Sequence, residues 1–101
     1  MSTTDQAIDS ILNKLNGISK KDALKEYSLL MALSKRDKYK VECQKYQKKY
    51  QSEFLEFEKY LHSQKNYEDY EKENDLDDWE FALASLKWWE EKIRELIDVS
   101  N

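Results

Sequence analysis

The chain contains a single glycine and no proline in 101 residues. Turn-rich β-architectures need both residue types at their turns, whereas the interiors of helices are weakened by both. Charged residues make up 38% of the chain and apolar residues 40%, a balance typical of amphipathic helices with a solvated polar face. The sequence therefore predicts an all-α fold, and the length predicts one domain with a modest core.

Apolar periodicity divides the chain into helical regions. The predicted elements are three helices and a polar connector: helices 4–16, 20–62 and 76–98, and connector 63–75. Gly17 suits the residue after the first helix, and Ser19 with Asp22 suits a capped start of the second. A straight helix over the second region would be roughly 65 Å long, too long for a compact chain of this size. We therefore expect this region to break near Ser34 or near Gln51, or to be shared by two chains.

Seven residues of the second region repeat at spacings of three and four and share one helix face: Tyr39, Cys43, Tyr46, Tyr50, Phe54, Phe57 and Leu61. A period of roughly 3.67 predicts a core-facing stripe on a nearly straight helix. The last helix has a matching apolar face: Trp79, Leu83, Leu86, Ile93 and Ile97, flanked by Ala82, Trp89 and Leu96. We expect these two stripes to pack as an antiparallel helical hairpin, preceded by the short N-terminal helix.

The last helix also has large apolar side chains on the side opposite its core stripe. Exposed apolar patches are uncommon on monomers, so this second face predicts a neighbour: the N-terminal helices, a second copy or a different protein. The acidic residues that precede the last predicted helix suit the start of a helix and offer negative charge to a basic partner. The predicted partner-binding residues combine both features: Phe81, Ala84, Trp88, Asp75, Asp77 and Asp78.

The segment YSLLMAL, residues 27–33, is apolar on nearly every side of a helix. Such a helix must be buried from several directions. In a protein of this size we expect the first helix and another subunit to cover it.

Charge is divided between two blocks of the chain. Residues 35–49 have a net charge of +5 and residues 67–101 a net charge of −8, so the blocks should attract each other. The predicted basic face comprises Lys35, Arg36, Lys38, Lys45, Lys48 and Lys49. Bases mixed with tyrosines are typical of single-strand binders, but the tyrosines fall on the predicted core stripe, which favours a solvated basic face.

Residue types that carry catalysis are scarce. Cys43 lies on the aromatic stripe and suits a small buried side chain, and His62 has no second group with which to bind a ligand. The acids from Glu73 to Asp78 lack the central glycine and final glutamate of a calcium loop. The sequence predicts no catalytic, cofactor or metal site. A lone cysteine, no apparent signal peptide and no long apolar run predict a cytoplasmic protein with no membrane association.

Two stretches, ALSKRDKYKVECQKYQKKYQSEFLEFEKYL and YEDYEKENDLDDWEFALASLKWWEEKIREL, carry a resemblance over roughly residues 32–97. The chain resembles small, all-helical, mostly uncharacterised archaeal and cyanobacterial proteins associated with toxin–antitoxin-like gene pairs. The shared pattern is a Lys/Tyr/Glu-rich helix ending in Phe-x-x-Phe-Glu, an acidic connector and an Asp-Asp helix start. The resemblance implies an antitoxin-like partner that covers the active surface of a toxin.

Three functions follow as hypotheses. The first is a non-catalytic protein–protein interaction module, antitoxin-like, whose acidic, aromatic C-terminal half binds a basic partner through Phe81 and Trp88. The second is a homodimeric structural or scaffold protein closed by the same aromatic side chains. The third is nucleic-acid binding through the basic helix 35–49, which predicts strongly salt-dependent binding.

Overall fold

The computed structural model describes residues 2–14, 19–64 and 69–98. Within these ranges the chain forms four α-helices and no strand: α1 (Thr3–Lys14), α2 (Lys20–Tyr50), α3 (Phe54–Ser63) and α4 (Tyr70–Asp98). The all-α class predicted from composition is confirmed. In the part of the chain so described, no helix combines the length and apolar character needed to span a bilayer.

Two compact units divide the chain where one domain was expected: an N-terminal unit, Met1–Met31, and a C-terminal unit, Ala32–Asn101. The N-terminal unit holds α1 and the first part of α2. The C-terminal unit holds the rest of α2 together with α3 and α4. The reason for the division is that the aromatic core of the chain draws all its side chains from the C-terminal unit.

Serine side chains cap the first two helices. The Oγ of Ser2 accepts a hydrogen bond from the Asp5 amide, and the Oγ of Ser19 accepts one from the Asp22 amide, both at 3.1 Å. The predicted start of the second helix at Ser19 is therefore correct. The predicted helix end at Gly17 lies outside the described residues.

The long helical region breaks after Tyr50. Gln51 has a positive φ of 49°, and the Ser52 amide donates a hydrogen bond to the Gln47 carbonyl at 3.3 Å. A left-handed residue followed by this bond is the Schellman arrangement that ends many helices. Glu53 is extended, and α3 follows it. Of the two expected break positions the structure takes the one at Gln51, and Ser34 lies within α2.

Helix α4 begins at Tyr70, six residues before the predicted start at 76. Asp69 is the reason, because its Oδ1 accepts the Lys72 amide at 3.1 Å and its carbonyl accepts the Glu73 amide at 3.0 Å. The acids Asp75 to Asp78 lie inside the helix, so their assignment as its starting residues was wrong.

An aromatic core lies at the centre of the C-terminal unit. Its buried members are Cys43, Tyr46, Phe57, Trp79 and Ala82, and it is enclosed by Tyr39, Tyr50, Phe54, Leu61, Leu76, Leu83 and Leu86. The Trp79 side chain is 1% exposed, and its ring stacks on Tyr46 at 5.8 Å and on Tyr50 at 6.5 Å between centroids. The edge of Phe54 meets it at 5.6 Å. All seven residues of the predicted stripe belong to this core or pack against it.

One expectation about burial was wrong. Ile97 was assigned to the core face of α4, but it lies in the last turn and is 50% exposed. Tyr27 and Leu30 were expected to be covered by α1 and another subunit together, and within the single chain α1 leaves both 61% exposed. Within the 27–33 segment only Ala32 is buried, because α1 is one short helix and covers only part of the circumference of α2.

Candidate interaction surface on helix α4

Helix α4 exposes an apolar face on the side opposite Trp79, and this face borders the edge of the aromatic core. Phe81, Ala84 and Trp88 are spaced by three and four residues, so they lie along one side of the helix. Phe81 is 64% exposed and Trp88 is 52% exposed, and Ala84 is exposed with them. We call these three residues the outer face of α4. By contrast, Trp79 and Ala82 are buried on the opposite side of the same helix.

Neighbouring side chains hold both outer aromatic rings. The Phe81 ring meets Tyr39 of α2 edge to face at 6.0 Å, and the Trp88 ring meets Trp89 in the same geometry at 4.8 Å. The Lys92 ammonium lies 5.3 Å from the centre of the Trp88 ring. Each ring is therefore supported on one side and open on the other. A supported ring loses less conformational entropy on binding a partner than a free one.

Negative charge surrounds the outer face. Asp77 and Asp78 are exposed within about one turn before Phe81, and Glu91 and Glu95 are exposed beyond Trp88, where they pair with Arg94 at 3.8 Å and Lys92 at 3.0 Å. Over its length α4 has ten acidic and four basic residues, a net charge of −6. The surface therefore combines an apolar centre with an acidic surround, which favours a partner that is apolar and basic.

Asp75 was predicted with the partner-binding residues, but its carboxylate is occupied within the chain. Its Oδ2 accepts hydrogen bonds from Lys49 Nζ at 2.6 Å and from the Tyr50 hydroxyl at 2.5 Å. Lys49 also donates to Glu71 at 2.8 Å. The Asp75 side chain is only 16% exposed. Asp75 and Lys49, predicted on separate binding surfaces, thus join α4 to α2.

The pKa values of this cluster reflect its hydrogen bonds. Hydrogen bonds from Lys49 to Asp75 and then to Glu71 raise the pKa of the ammonium. Burial and then the hydrogen bond to Asp75 raise the pKa of Tyr50 to about 12. Burial alone would raise the pKa of Asp75, but the hydrogen bonds it accepts from Lys49 and Tyr50 outweigh that effect and lower it. At neutral pH the cluster holds an ionised carboxylate between a cation and a phenol.

The predicted basic face is dispersed along α2. Its exposed members are Lys38, Lys45, Lys48 and Lys49, whereas Lys35 and Arg36 are half-buried and Arg36 binds Asp37 at 3.1 Å. The ammonium groups of Lys38 and Lys45 lie 5.2 and 4.6 Å from the ring centres of Tyr39 and Tyr46. Tyr46 is 6% exposed and so cannot stack on a nucleic-acid base. The face therefore offers charge without the aromatic platform of a single-strand binder.

Cys43 is buried and 5% exposed. Burial, then the negative charges of Glu42 and Glu90, raises the pKa of the thiol. A raised pKa keeps the sulfur protonated and weakly nucleophilic. Across residues 2–14, 19–64 and 69–98, no group of three or more His, Cys, Asp or Glu side chains is placed to hold a metal ion.

A second apolar surface, in the N-terminal unit, was not predicted as a site. A groove of about 580 Å³ lies between α1 and the start of α2. It is lined by five apolar or aromatic side chains and three charged ones: Ile8, Leu12, Ala23, Leu24, Tyr27, Asp5, Asp9 and Lys20. The signal in the sequence was the segment beginning at Tyr27, which is apolar on nearly every side of the helix. We interpreted that segment as covered by the first helix and another subunit.

Comparisons of the chain with protein families, with curated proteins and with solved structures found no match.

Proposed function

We propose that this chain is a non-catalytic interaction module that binds a basic protein partner through the outer face of α4. The observation that carries the proposal is the exposure of Phe81 and Trp88, at 64% and 52%, on a helix whose other side contributes Trp79 and Ala82 to the core. Aromatic side chains of this kind commonly dominate the binding energy at the centre of an interface.

The outer face can supply a useful part of a binding energy. A large aromatic side chain buries about 150–250 Å², so covering the open half of each ring removes roughly 100 Å² from water. At about 25 cal/mol per Å² this gives on the order of 2–3 kcal/mol for each ring before the costs of association. Because both rings already rest on neighbours, little of that gain is lost in ordering them.

Charge favours a different protein over a second copy at this surface. Two copies of α4 would bring together helices that each have a net charge of −6. Like charges across an interface oppose association, whereas a basic partner is attracted and steered to the surface. The alternative in which the same aromatic residues close a homodimer must overcome that repulsion.

The proposal includes an antiparallel pairing of α2 and α4. Successive contacts support it, because Tyr50 bonds Asp75, Tyr46 stacks near Trp79 and Tyr39 meets Phe81. Residues later in α2 thus meet residues earlier in α4. The bonds of Lys49 to Asp75 and Glu71 are the attraction expected between the basic and acidic blocks.

The resemblance of residues 32–97 to proteins from toxin–antitoxin-like gene pairs supplies the specific partner in this proposal. That partner is a basic, RNA-handling toxin encoded beside this chain, whose active surface the outer face of α4 covers. The proposed setting is the cytoplasm, where a lone cysteine stays reduced.

Co-expression with the product of the neighbouring gene tests this function. We expect a complex that survives size-exclusion chromatography and that is lost in the double variant Phe81→Ser, Trp88→Ser. The matched control is Leu55→Ser, since Leu55 is 65% exposed on α3 and its loss removes a similar apolar surface elsewhere. Absence of any complex with the wild-type chain would refute the antitoxin-like function. Equal loss of binding in the control would refute the assignment of the surface.

A further inference from the structure

Large apolar side chains of the N-terminal unit lie exposed on both of its helices. None of the described residues of α1 is buried. Five large side chains of the unit are about half to two-thirds exposed: Ile8 at 49%, Ile11 at 61%, Leu24 at 66%, Tyr27 at 61% and Leu30 at 61%. A helix of twelve residues is marginal alone and depends on packing of its apolar face. This unit therefore lacks a layer that would cover it.

The groove between α1 and α2 indicates what kind of element would cover the N-terminal unit. Ile8 and Leu12 form its wall on α1, and Ala23, Leu24 and Tyr27 form its wall on α2. An open apolar groove between two helices accepts the ridge of a further helix. The covering element is thus expected to be helical and apolar on the side that enters the groove.

Charge indicates which helices can enter. Residues 1–31 have four acidic and four basic side chains, so their net side-chain charge is zero. Opposite charges already meet across the groove, where Lys20 Nζ lies 3.9 Å from the Asp9 carboxylate. Two copies of this unit can therefore approach without net repulsion, which two copies of α4 cannot.

We propose that the N-terminal unit is the self-association element of this protein, and that the groove is filled by the same unit of a second copy. A two-fold arrangement presents the same surface from both subunits, and two helices from each give a four-helix bundle. Ile8, Leu24 and Tyr27 line the groove, and with Ile11 and Leu30 the unit exposes on the order of 500 Å² of apolar side-chain surface, against the roughly 800 Å² of polar and apolar surface that each partner contributes to a standard interface. The proposal uses none of the outer-face residues and is independent of the proposed function.

Sedimentation equilibrium of the full chain over a wide concentration range tests the proposal. The wild type is expected to approach twice the chain mass of 12.2 kDa. Leu24→Glu is expected to weaken self-association by about 100-fold or more, because it places an unpaired charge in an apolar interface. The matched control is Leu55→Glu, which adds the same charge at a 65% exposed leucine of the C-terminal unit.

Two further variants distinguish loss of apolar contact from added charge, and the N-terminal interface from the outer face of α4. Leu24→Gln removes the apolar side chain without adding charge and is expected to weaken the dimer less than Leu24→Glu. The double variant Phe81→Ser, Trp88→Ser is expected to remain dimeric, and far-UV circular dichroism verifies that each variant keeps its helices. A wild type that is monomeric at every concentration would overturn the proposal. A dimer that Leu24→Glu leaves intact, or that only the outer-face variant dissociates, would overturn it as well.

Discussion

Trp79 and Trp88 form a matched pair with which to test the two-faced character of α4. They are the same residue type on the same helix, but Trp79 is 1% exposed and Trp88 is 52% exposed. Trp79→Ala would leave a cavity among Tyr46, Tyr50 and Phe54, and such changes cost about 3–5 kcal/mol. Trp88→Ala removes one ring contact and half-solvated surface, so we expect a loss below about 1 kcal/mol.

Urea unfolding followed by far-UV circular dichroism measures both changes in the free energy of unfolding. Domains of this size have a total stability of about 5–15 kcal/mol and a urea dependence of about 1–3 kcal/mol per molar. Trp79→Ala is therefore expected to lower the midpoint by about 1–5 M, and Trp88→Ala by less than about 1 M, at least about three times less than Trp79→Ala at the same urea dependence. Both variants are compared with wild type at one protein concentration, because self-association adds to apparent stability. Equal losses in the two variants would refute the distinction between a core face and an outer face.

Three further predictions concern the core and its edges. The lowered pKa of Asp75 means that its contribution to stability is present above pH about 4 and lost as pH falls below the ordinary value of 3.8. The raised pKa of Tyr50 means that its contribution to stability is present below pH 10.0 and lost as pH rises towards about 12. Urea midpoints should therefore fall at both acid and alkaline pH. The decrease at alkaline pH should be smaller in Tyr50→Phe, which has no phenol to ionise. Gln51→Gly should stabilise the chain by about 1 kcal/mol, because glycine adopts a positive φ without steric cost. Gln44→Gly, the control, should destabilise it by about 1 kcal/mol, because Gln44 lies within α2 and glycine weakens helix interiors. Equal urea midpoints for the two variants would contradict this prediction. Cys43 should react with a thiol reagent far more slowly in the folded chain than in urea, and rapid labelling of the folded chain would contradict its burial.

Periodicity predicted the core of the C-terminal unit well. Every residue of the stripe from Tyr39 to Leu61 lies in the core or packs against it, even though the helix breaks at Gln51 and the stripe spans two helices. The reason is that the spacing of apolar side chains indicates which face of a helix is buried. A short break between two helices can leave their apolar faces on the same side. The break itself carried only a weak signal, since a non-glycine residue takes the positive φ there.

Other features could not be predicted because several residues suited the same role or because the contact joins distant parts of the chain. Acids suit both a cap and a first turn, so the run from Asp75 to Asp78 resembled a helix start although Asp69 provides the cap. The opposite charges of the two blocks predicted attraction, but not that Lys49 would bind Asp75 and Glu71 among the twelve acids in the sequence of residues 67–101. The outer face of α4 was predicted from angles around one helix, whereas the groove in the N-terminal unit requires two helices to be placed side by side.

Hydroxyl-radical footprinting of the wild-type chain, alone and with the product of the neighbouring gene, tests whether the outer face of α4 is open in the free chain and covered by the partner. Tandem mass spectrometry reports oxidation at each aromatic side chain, and Trp79 provides an internal buried reference. We predict strong oxidation of Phe81 and Trp88 in the free chain, weak oxidation of Trp79, and protection of Phe81 and Trp88 in the complex. Protection of Phe81 and Trp88 in the free chain, or equal oxidation with and without the partner, would contradict this prediction.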